Sequence, residues 1–142
     1  MIPDIAVNLA KHFEGFSTTP YLCPANFWTI GYGHLCDKDH PEITLEQGEA
    51  YLRADMQDAY DAVVRYCPVL LEESDARLGA IVDFTFNLGG GRLQTSTLRR
   101  RINDKLWDEA TYELKRWIYG GGRILPGLVR RREWEALFMY LG

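Results

Sequence analysis

The first residues that could perform chemistry lie near the start of the chain, around Glu14. This glutamate is the only carboxylate between His12 and His34, and a carboxyl group beside glycine and aromatic residues can act as a proton donor. Acid–base catalysis by one carboxyl group usually employs a second one nearby. In this stretch Cys23 stands where the second group would be sought, so the sequence pairs an acid with a thiol.

A Gly-Tyr-Gly turn follows the thiol and leads into a histidine. Gly31 and Gly33 flank Tyr32, and a glycine backbone can approach a ligand closely because it carries no side chain. From this position His34 could orient a carboxylate or a substrate hydroxyl group. The same residues would also form an ordinary tight hairpin with a surface histidine, and the chemistry alone favours neither interpretation.

Two polar residues stand out in the second half of the chain. Asn87 lies among apolar residues in a segment that should be buried, where an amide requires a hydrogen-bond partner. That partner is either the backbone of a neighbouring loop or a substrate amide at the bottom of a cleft. Arg131 is the middle residue of an Arg-Arg-Arg run near a predicted helix start, where positive charge is unfavourable. It either pairs with the acidic N-terminal region or recognises an anion.

The composition is typical of one soluble globular domain. Of the 142 residues, 46% are hydrophobic, 25% charged and 13% aromatic, which permits a substantial core and carries no signature of disorder. The net charge of −4 is uneven: residues 1–90 carry 5 Lys/Arg and 14 Asp/Glu (−9), and residues 91–142 carry 11 and 6 (+5). The basic part could meet nucleic acid, a membrane or an anionic polymer, or form a solvated helix face. An acidic pI of about 5.4 disfavours a nucleic-acid module.

The cysteines and histidines do not form a disulfide framework or a strong zinc pattern. Cys23, Cys36 and Cys67 are an odd number, so at least one thiol stays free, and a Cys23–Cys36 bridge remains open. No Cys-x-x-Cys pair is present, and the spacing of Cys36 to His34 and His40 is a weak signal for zinc. We therefore expect no metal site.

No targeting or membrane-spanning segment is evident. The N-terminal residues include an acid and lack an uninterrupted apolar run. No later stretch approaches the ~18 apolar residues that a spanning helix needs. The expectation is cytoplasmic synthesis without a signal peptide and without stable membrane insertion.

Hydrophobic spacing and capping residues predict a mainly helical chain. Apolar residues at three- and four-residue spacing predict a first helix that ends near Gly15, with Glu14 in its last turn. A helix C-terminus disfavours negative charge, which suits a proton donor. The segment from Phe27 to His34 is typical of short strands around a turn. The spacing of Thr44 and Gln47 predicts a helix capping box. Helices are predicted at about 45–66, 75–88, 95–103, 107–119 and 128–140.

These elements predict an α+β, helix-dominant fold in a single domain over residues 1–142. A small β-containing lobe at about 15–43 is joined by the long helix at about 45–66 to a helical lobe at about 75–142, which packs with the N-terminal helix. The helix at 75–88 is apolar nearly all round and should be the buried centre. A cleft is expected between the lobes.

Four blocks, in one order along nearly the whole chain, carry a family resemblance. They are Phe13-Glu14-Gly15; Thr29-Ile30-Gly31-Tyr32-Gly33-His34; Phe84-Thr85-Phe86-Asn87-Leu88-Gly89 with Ser96-Thr97-Leu98 after it; and Trp117 leading through Gly121-Gly122 to Gly127-Leu128-Val129-Arg130-Arg131-Arg132-Glu133. With these blocks the chain resembles the phage-type lysozymes, the endolysins or muramidases of glycoside hydrolase family 24. The resemblance implies a two-lobed lysozyme-like fold with a small N-terminal β-hairpin lobe and a helical C-terminal lobe.

The resemblance also implies a reaction, hydrolysis of the β-1,4 bond between N-acetylmuramic acid and N-acetylglucosamine in bacterial peptidoglycan. In the family's pattern an acidic residue lies nine positions after the catalytic glutamate, and a threonine lies six positions further on; here these positions hold Cys23 and Thr29. Glu14 would then be the general acid, and Thr29 and Cys23 would hold the attacking water. Cys23 replaces the family's aspartate, so it could be a base, a nucleophile or only part of the water site. The family precedent is inversion.

The remaining implications concern binding, partners and location. By resemblance, the substrate-binding residues are His34, which would support the site from the hairpin, Asn87, which would bind the sugar or its N-acetyl group, and Arg131, which would face the peptide stem or lactyl carboxylate. No cofactor is implied. The protein would be a monomer that accumulates in the host bacterial cytoplasm and reaches the cell wall through a holin-type lesion, causing lysis. Two alternatives are a peptidoglycan-binding protein of the same fold with little turnover, and a zinc-binding interaction module.

Overall fold

The computed structural model describes residues 1–142 and confirms the helix-dominant α+β class. The helices are α1 (Asp4–Glu14), α2 (Leu45–Tyr66), α3 (Asp75–Leu88), α4 (Gly90–Gln94), α5 (Thr97–Asn103), α6 (Trp107–Leu114) and α7 (Pro126–Leu141), with a 3₁₀ turn at Pro68–Glu72. The strands are β1 (Ser17–Leu22), β2 (Trp28–Gly31), β3 (His34–Leu35), β4 (Tyr119–Gly120) and β5 (Arg123–Ile124). None of the helices combines the length and apolar character that crossing a bilayer would require.

Helix α1 brings Glu14 to the surface of the core. Its apolar face is buried at Ala6, Leu9 and Ala10, as the three- and four-residue spacing predicts. Gly15 ends the helix with a φ of 65°, a conformation that glycine adopts at little cost. The predicted end of this helix is therefore confirmed, and Glu14 is its last residue.

The small sheet holds the segment that carries the thiol and the threonine. Its strands are antiparallel in the order β1-β2-β3, and the register places Tyr21 opposite Thr29. Just beyond β1, the backbone N–H of Cys23 donates to the carbonyl of Phe27 at 3.0 Å. The turn between β1 and β2 is thus closed at the point where Cys23 lies.

Helix α2 follows the sheet and begins where the sequence indicates. The Thr44 side chain accepts a hydrogen bond from the backbone N–H of Gln47, and the Gln47 side chain accepts one from the Thr44 N–H, at 3.1 and 2.8 Å. The predicted capping box is therefore confirmed. The helix continues to Tyr66, and Cys67 after it is fully buried.

Helix α3 is the buried centre of the molecule, as its composition predicts. Every residue from Leu78 to Thr85 is buried, and the helix packs against α1, α2 and α7. Gly79 allows the close approach of α1, because a Cβ there would lie 3.0 Å from the Cβ of Ile5. A helix that contacts three others in this way fixes the position of any group at its C-terminal end.

The C-terminal third departs from the prediction at two places. Helix α6 ends at Leu114 instead of about 119, because Tyr119–Gly120 pairs with Arg123–Ile124 in a two-stranded hairpin. Gly121 and Gly122 form the turn with φ of 59° and 78°, and a two-residue turn with both φ angles positive suits a hairpin. The second departure is the glycine run after α3, which was predicted only to end that helix. A short helix, α4, begins within it at Gly90.

Candidate active site

A cleft of about 960 Å³ opens between the sheet and the helical part of the molecule. Its walls come from the end of α1, the β1–β2 turn, the end of α3, and the segment from the β4–β5 hairpin to α7. Five of the six predicted site residues line it: Glu14, Cys23, Thr29, Asn87 and Arg131. The cleft therefore gathers the acid, the thiol and the hydroxyl group that the sequence singles out.

Glu14 is held from two sides. Nη1 of Arg131 donates to Oε2 of Glu14 at 2.6 Å, and the guanidinium group balances the carboxylate whenever it is ionised. On the other side the carboxyl group packs against Gly33, where a Cβ would lie 2.6 Å from Cδ of Glu14. Gly33 also has a φ of 73°, so glycine is required there both for the turn and for the space that Glu14 occupies.

Thr29 has a defined hydrogen-bond direction. Its Oγ1 donates to the backbone carbonyl of Phe27 at 3.0 Å, which commits the hydroxyl proton and leaves the oxygen lone pairs as acceptors. The residue is almost fully buried but still lines the cleft. Thr29 can therefore accept a hydrogen bond from a water molecule in the cleft.

Cys23 contributes a free, partly exposed thiol. The neighbouring phenol of Tyr21 has its pKa raised, first by burial and then by the nearby Glu14 and Cys23. Tyr21 therefore stays neutral around neutral pH and adds no charge next to the thiol. The acid–base groups on this side of the cleft are Glu14 and Cys23.

The side-chain amide oxygen of Asn87 has a hydrogen-bond partner, and the amide nitrogen has none. Its Oδ1 accepts a hydrogen bond from Nη2 of Arg132 at 2.8 Å, so the partner that burial demands is an arginine side chain. Neither a loop backbone nor a substrate fills this role. The Nδ2 group, which carries two donors, makes no hydrogen bond within the chain and remains available to the cleft.

Arg131 belongs to a buried ionic cluster. Besides Glu14, its Nε and Nη2 donate to the two carboxyl oxygens of Asp83 at 2.9 and 2.7 Å. Arg131 and Asp83 are 3% and 0% exposed. Burial would raise the pKa of Asp83, but the charge of Arg131 and hydrogen bonds from Glu135 and Arg131 hold it below its usual value. This pairing is bidentate, the strongest geometry for an arginine and a carboxylate.

The comparison with known protein families identifies the family of this chain. The family model described as "Phage lysozyme" matches residues 11–135, which include every residue of the cleft named above. The chain belongs to the phage lysozyme family.

Phage endolysins and a solved muramidase domain match along nearly the whole chain. The endolysin of Bacillus phage B103 is 36% identical over 145 residues, covering 99% of this chain and 54% of the relative. The endolysin of Acyrthosiphon pisum secondary endosymbiont phage 1 is 35% identical, and the match covers 92% of this chain and 92% of the relative. The solved muramidase domain of SpmX from Asticaccaulis excentricus superposes with a TM-score of 0.82 at 28% identity, covering 98% of this chain and 97% of that domain. This chain spans about half the length of the Bacillus phage endolysin.

One predicted binding residue lies outside the cleft. His34 borders a smaller hollow of about 270 Å³ instead, where its Nδ1 lies 2.7 Å from Oδ2 of Asp55 and its ring stacks on Tyr51 at 4.3 Å. These contacts tie β3 to α2. The structure therefore gives His34 a role in joining the sheet to the long helix, because its ring is already occupied by partners on α2.

The contacts of Arg131 differ from those that its predicted role requires. An arginine that faces a peptide stem or a lactyl carboxylate needs free donors at the surface, but Arg131 is buried and three of its N–H donors are used by Glu14 and Asp83. Of the two interpretations of the arginine run, the intramolecular pairing is the one observed. The cleft cations with exposed side chains are Arg92 and Arg130.

Sequence reasoning missed the two buried acids behind this site, Asp83 and Glu135. Both are fully buried and lie against the arginines of α7. A charged residue inside the apolar pattern of α3 was the available signal for Asp83, because a buried charge needs a partner. The thiols and imidazoles do not gather, since no group of three or more His, Cys, Asp or Glu side chains could hold a metal ion, and all three cysteines are free.

Proposed function

We propose that this chain is a glycoside hydrolase of the lysozyme type, an endolysin that cleaves the β-1,4 bond between N-acetylmuramic acid and N-acetylglucosamine in bacterial peptidoglycan. The observation that carries this proposal is the cleft in which Glu14 lies together with Cys23 and Thr29. Membership of the phage lysozyme family and the similarity to phage endolysins support it.

In the proposed reaction Glu14 is protonated and faces the glycosidic oxygen. As the bond between that oxygen and the anomeric carbon breaks, the oxygen takes the proton of Glu14 and the sugar becomes an oxocarbenium-like cation. A water molecule attacks this carbon and gives its proton to a base or to solvent. Arg131 and Gly33 fix the carboxyl group from two sides, which limits its motion in the step.

The attacking water is assigned to Thr29 and Cys23. The hydroxyl oxygen of Thr29 is free to accept from that water, because its proton is donated to Phe27. Cys23 completes the water site either as a thiol that only positions the water or as a thiolate that removes its proton. A direct attack by the thiolate would give a covalent intermediate and retention instead of inversion. Analysis of the product anomer separates the last pathway from the other two.

Substrate binding is assigned to groups with free capacity at the cleft surface. The Nδ2 donors of Asn87 suit the carbonyl of an N-acetyl group, since Oδ1 is already held by Arg132. Phe27 and Tyr119 are exposed aromatic residues of the same cleft, and their flat apolar faces suit the faces of sugar rings. Arg92 and Arg130 supply the positive charge for the lactyl or peptide carboxylates of the wall.

The decisive test is Glu14→Gln, which keeps the shape of the side chain but cannot donate the proton. Removing a general acid should lower the release of new reducing ends from purified peptidoglycan by at least about 100-fold. Glu46→Gln, the same change at an exposed position in the first turn of α2, is the control and should hydrolyse like wild type. Substantial cleavage by pure, folded Glu14→Gln protein would refute the assignment.

The alternative function is peptidoglycan binding with little turnover, because a thiol stands where the family has a carboxylate. A member without a working base would keep the fold, bind peptidoglycan through the cleft and turn it over slowly. Co-sedimentation with cell walls measures binding, and reducing-end release measures turnover. Binding by the wild type without reducing ends would favour this alternative.

Release and assembly follow from the same proposal. The protein is expected to act as a monomer, to accumulate inside the infected or lysogenic bacterium, and to meet the wall after a holin-type lesion has opened the membrane. Expression in a bacterium should therefore leave cells intact until a holin is co-expressed. Lysis without any holin would point to another route of export.

A further inference from the structure

The smaller hollow of about 270 Å³ that His34 borders adjoins the cleft. The two spaces have four lining residues in common, Gly33, Leu35, Phe86 and Gly89. Gly33 is also the residue against which the carboxyl group of Glu14 packs. A substrate that is bound in the cleft can therefore extend a side branch into the hollow, close to the acid.

The hollow is acidic, and no lysine or arginine lines it. Asp55 and Asp58 belong to α2 and share one face of that helix, because they are three residues apart. Asp58 is exposed and forms no ion pair within the chain. Asp55 contacts Nδ1 of His34 through Oδ2 at 2.7 Å, and its Oδ1 has no side-chain partner. Each aspartate thus keeps at least one carboxylate oxygen for a ligand.

A buried hydroxyl group adds a third acceptor. Thr85 lies on α3, is 2% exposed and lines the hollow. Its Oγ1 makes no hydrogen bond within the chain, not even to the carbonyl one turn earlier that helical threonines can use. A buried polar atom is costly without a partner. The partner of Thr85 must therefore be a group that enters from the hollow.

These acceptors suit a primary ammonium group better than a metal ion or an anion. An ammonium group has three N–H donors and one positive charge, and the hollow offers two carboxylates and one hydroxyl oxygen. A metal ion is disfavoured, because no group of three or more His, Cys, Asp or Glu side chains is arranged to hold one. An anion would be repelled by the two aspartates.

We propose that the hollow binds a primary ammonium group of peptidoglycan, that of the diamino acid in the peptide stem, with Asp55, Asp58 and Thr85 as its acceptors. This inference rests on the proposed function, because it specifies the substrate of that reaction. The stem starts at the lactyl group of N-acetylmuramic acid, the sugar whose bond is cleaved beside Glu14. Its diamino acid is the third residue, so an extended stem carries it about 10 Å from the sugar. That length is enough to pass from the cleft into the adjoining hollow.

The charges on the two sides of the cleft match a stem of this kind. A stem that is not cross-linked carries carboxylates as well as the ammonium group. Arg92 and Arg130 line the cleft and form no ion pair within the chain, so they can face the carboxylates while the hollow takes the ammonium group. Such an arrangement favours free stems over cross-linked ones, in which the amine has become an amide.

The first test compares native peptidoglycan with peptidoglycan treated with acetic anhydride. This reagent converts the primary ammonium groups into neutral amides and leaves the glycan backbone intact. For the wild type, kcat/KM for reducing-end release should fall by roughly 3–10-fold on the acetylated wall, as expected for the loss of hydrogen bonds to charged groups. In Asp58→Asn the ratio between the two walls should be close to one. An Asp58→Asn ratio equal to that of the wild type would overturn the proposal.

Two further variants complete this comparison. Asp61→Asn removes the same charge at an exposed position of α2 that does not line the hollow, and it should keep the wild-type ratio. Thr85→Val preserves the shape of the side chain and removes the unpartnered hydroxyl group, so it should fold and show a smaller ratio than the wild type. A wild-type ratio for Thr85→Val would mean that its hydroxyl serves only a water molecule and would refute its role as an acceptor. Asp55 is left unchanged because it also holds His34.

A second measurement needs no hydrolysis. The protein labelled with ¹⁵N is titrated with a lysine-containing stem peptide, with its Nε-acetyl form, and with a chitosan oligosaccharide, whose ammonium groups belong to the glycan. The backbone amide signals of Gly89 and Gly90, which line the hollow, should shift with the stem peptide and not with its acetylated form. Equal shifts with both peptides, or shifts with chitosan alone, would refute the assignment to the stem. Selective shifts in a protein that releases no reducing ends would instead refute the proposed function and leave the ammonium site standing.

Discussion

At the scale of single residues, the proposed reaction is best tested at Cys23. If the site needs a base, Cys23→Asp should retain or increase the hydrolysis rate, because it restores a carboxylate at the family's spacing. Cys23→Ala should lower the rate by roughly 100-fold, the usual contribution of a general base. The measurement is reducing-end release from peptidoglycan at several pH values.

Serine is the informative control at this position. Cys23→Ser can hydrogen-bond a water molecule but does not ionise near neutral pH, so an active serine variant would assign Cys23 to positioning the water. An inactive serine variant beside an active aspartate variant, with wild-type activity that rises with pH, would assign it to a working thiolate. Equal rates for Cys23→Ala and wild type at every pH would make the thiol irrelevant to the reaction.

Gly33 offers a test of how closely Glu14 must be held. Gly33→Ala would place a Cβ 2.6 Å from Cδ of Glu14 at a backbone φ of 73°. We expect folded protein with a stability loss of roughly 1–2 kcal/mol from the left-handed backbone, and a much larger loss of hydrolysis because the acid is displaced. Stability is measured by denaturant unfolding and hydrolysis on the folded fraction.

Gly15→Ala is the matched control for that experiment. Gly15 has a similar φ of 65°, but nothing lies within 4 Å of a Cβ built there. It should therefore show a comparable stability loss with most of the activity retained. If both variants lost activity equally, backbone strain and not the contact with Glu14 would be responsible.

The site was predictable where its residues follow one another in a local motif. Glu14, Cys23 and Thr29 lie within 16 consecutive residues (14 to 29). Glu14 and Cys23 stood out by residue type, and the family resemblance added Thr29. Asp83 and Glu135 were not predictable, because their partners are far away in the sequence and only tertiary packing brings them to Arg131 and Arg132. The buried contacts of Arg131 were missed for the same reason, since an arginine run shows its charge but not its partners.

At the scale of elements, the start of α2 can be tested through its capping box. Thr44→Ala removes the side-chain acceptor of the Gln47 N–H and should cost about 1 kcal/mol of unfolding free energy. For a chain of this length that corresponds to a fall in Tm of about 3 °C. Thermal unfolding followed by circular dichroism measures it, and the hydrolysis rate at 25 °C should not change.

Thr19→Ala provides the comparison for this change. Thr19 is exposed on β1 and uses only its backbone in hydrogen bonds, so its Tm should fall less than that of Thr44→Ala. An equal fall in both variants would mean that the cap contributes nothing beyond an ordinary surface threonine.

The helix ends that the sequence predicted well are those marked by a capping residue. The end of α1 at Gly15, the start of α2 at Thr44 and the start of α3 at Ser74 each follow from one residue and its local hydrogen bonds. The β4–β5 hairpin and α4 were missed because glycine runs permit several backbone conformations. Which conformation forms is decided by neighbours, such as Leu125, which packs against Gly120.

At the scale of the whole molecule, the buried thiol of Cys67 links stability to alkaline pH. Burial raises the pKa of Cys67 from 9.0 to about 12. Between these values the unfolded chain has lost this proton and the folded chain keeps it, so stability falls as pH rises. The loss is at most about 1.4 kcal/mol for each pH unit in that window.

Cys67→Ala removes this proton without adding a charge. At pH 7 the variant should be less stable than wild type, because a buried side chain has been shortened. Above pH 9 the difference in unfolding free energy should narrow, since only the wild type retains the thiol proton. A difference that stays constant from pH 7 to pH 10.5 in urea unfolding experiments would contradict this account.

The contact between Gly33 and Glu14 also has an evolutionary consequence. A lineage that still depends on the acid cannot accept a larger residue at position 33, because the space belongs to the carboxyl group. Once selection for the reaction is relaxed, a shorter residue can replace Glu14. Only the turn geometry then restricts position 33, so asparagine or aspartate is tolerated there. Among related genes, replacement of this glycine is therefore expected together with loss of the glutamate and seldom beside an intact one.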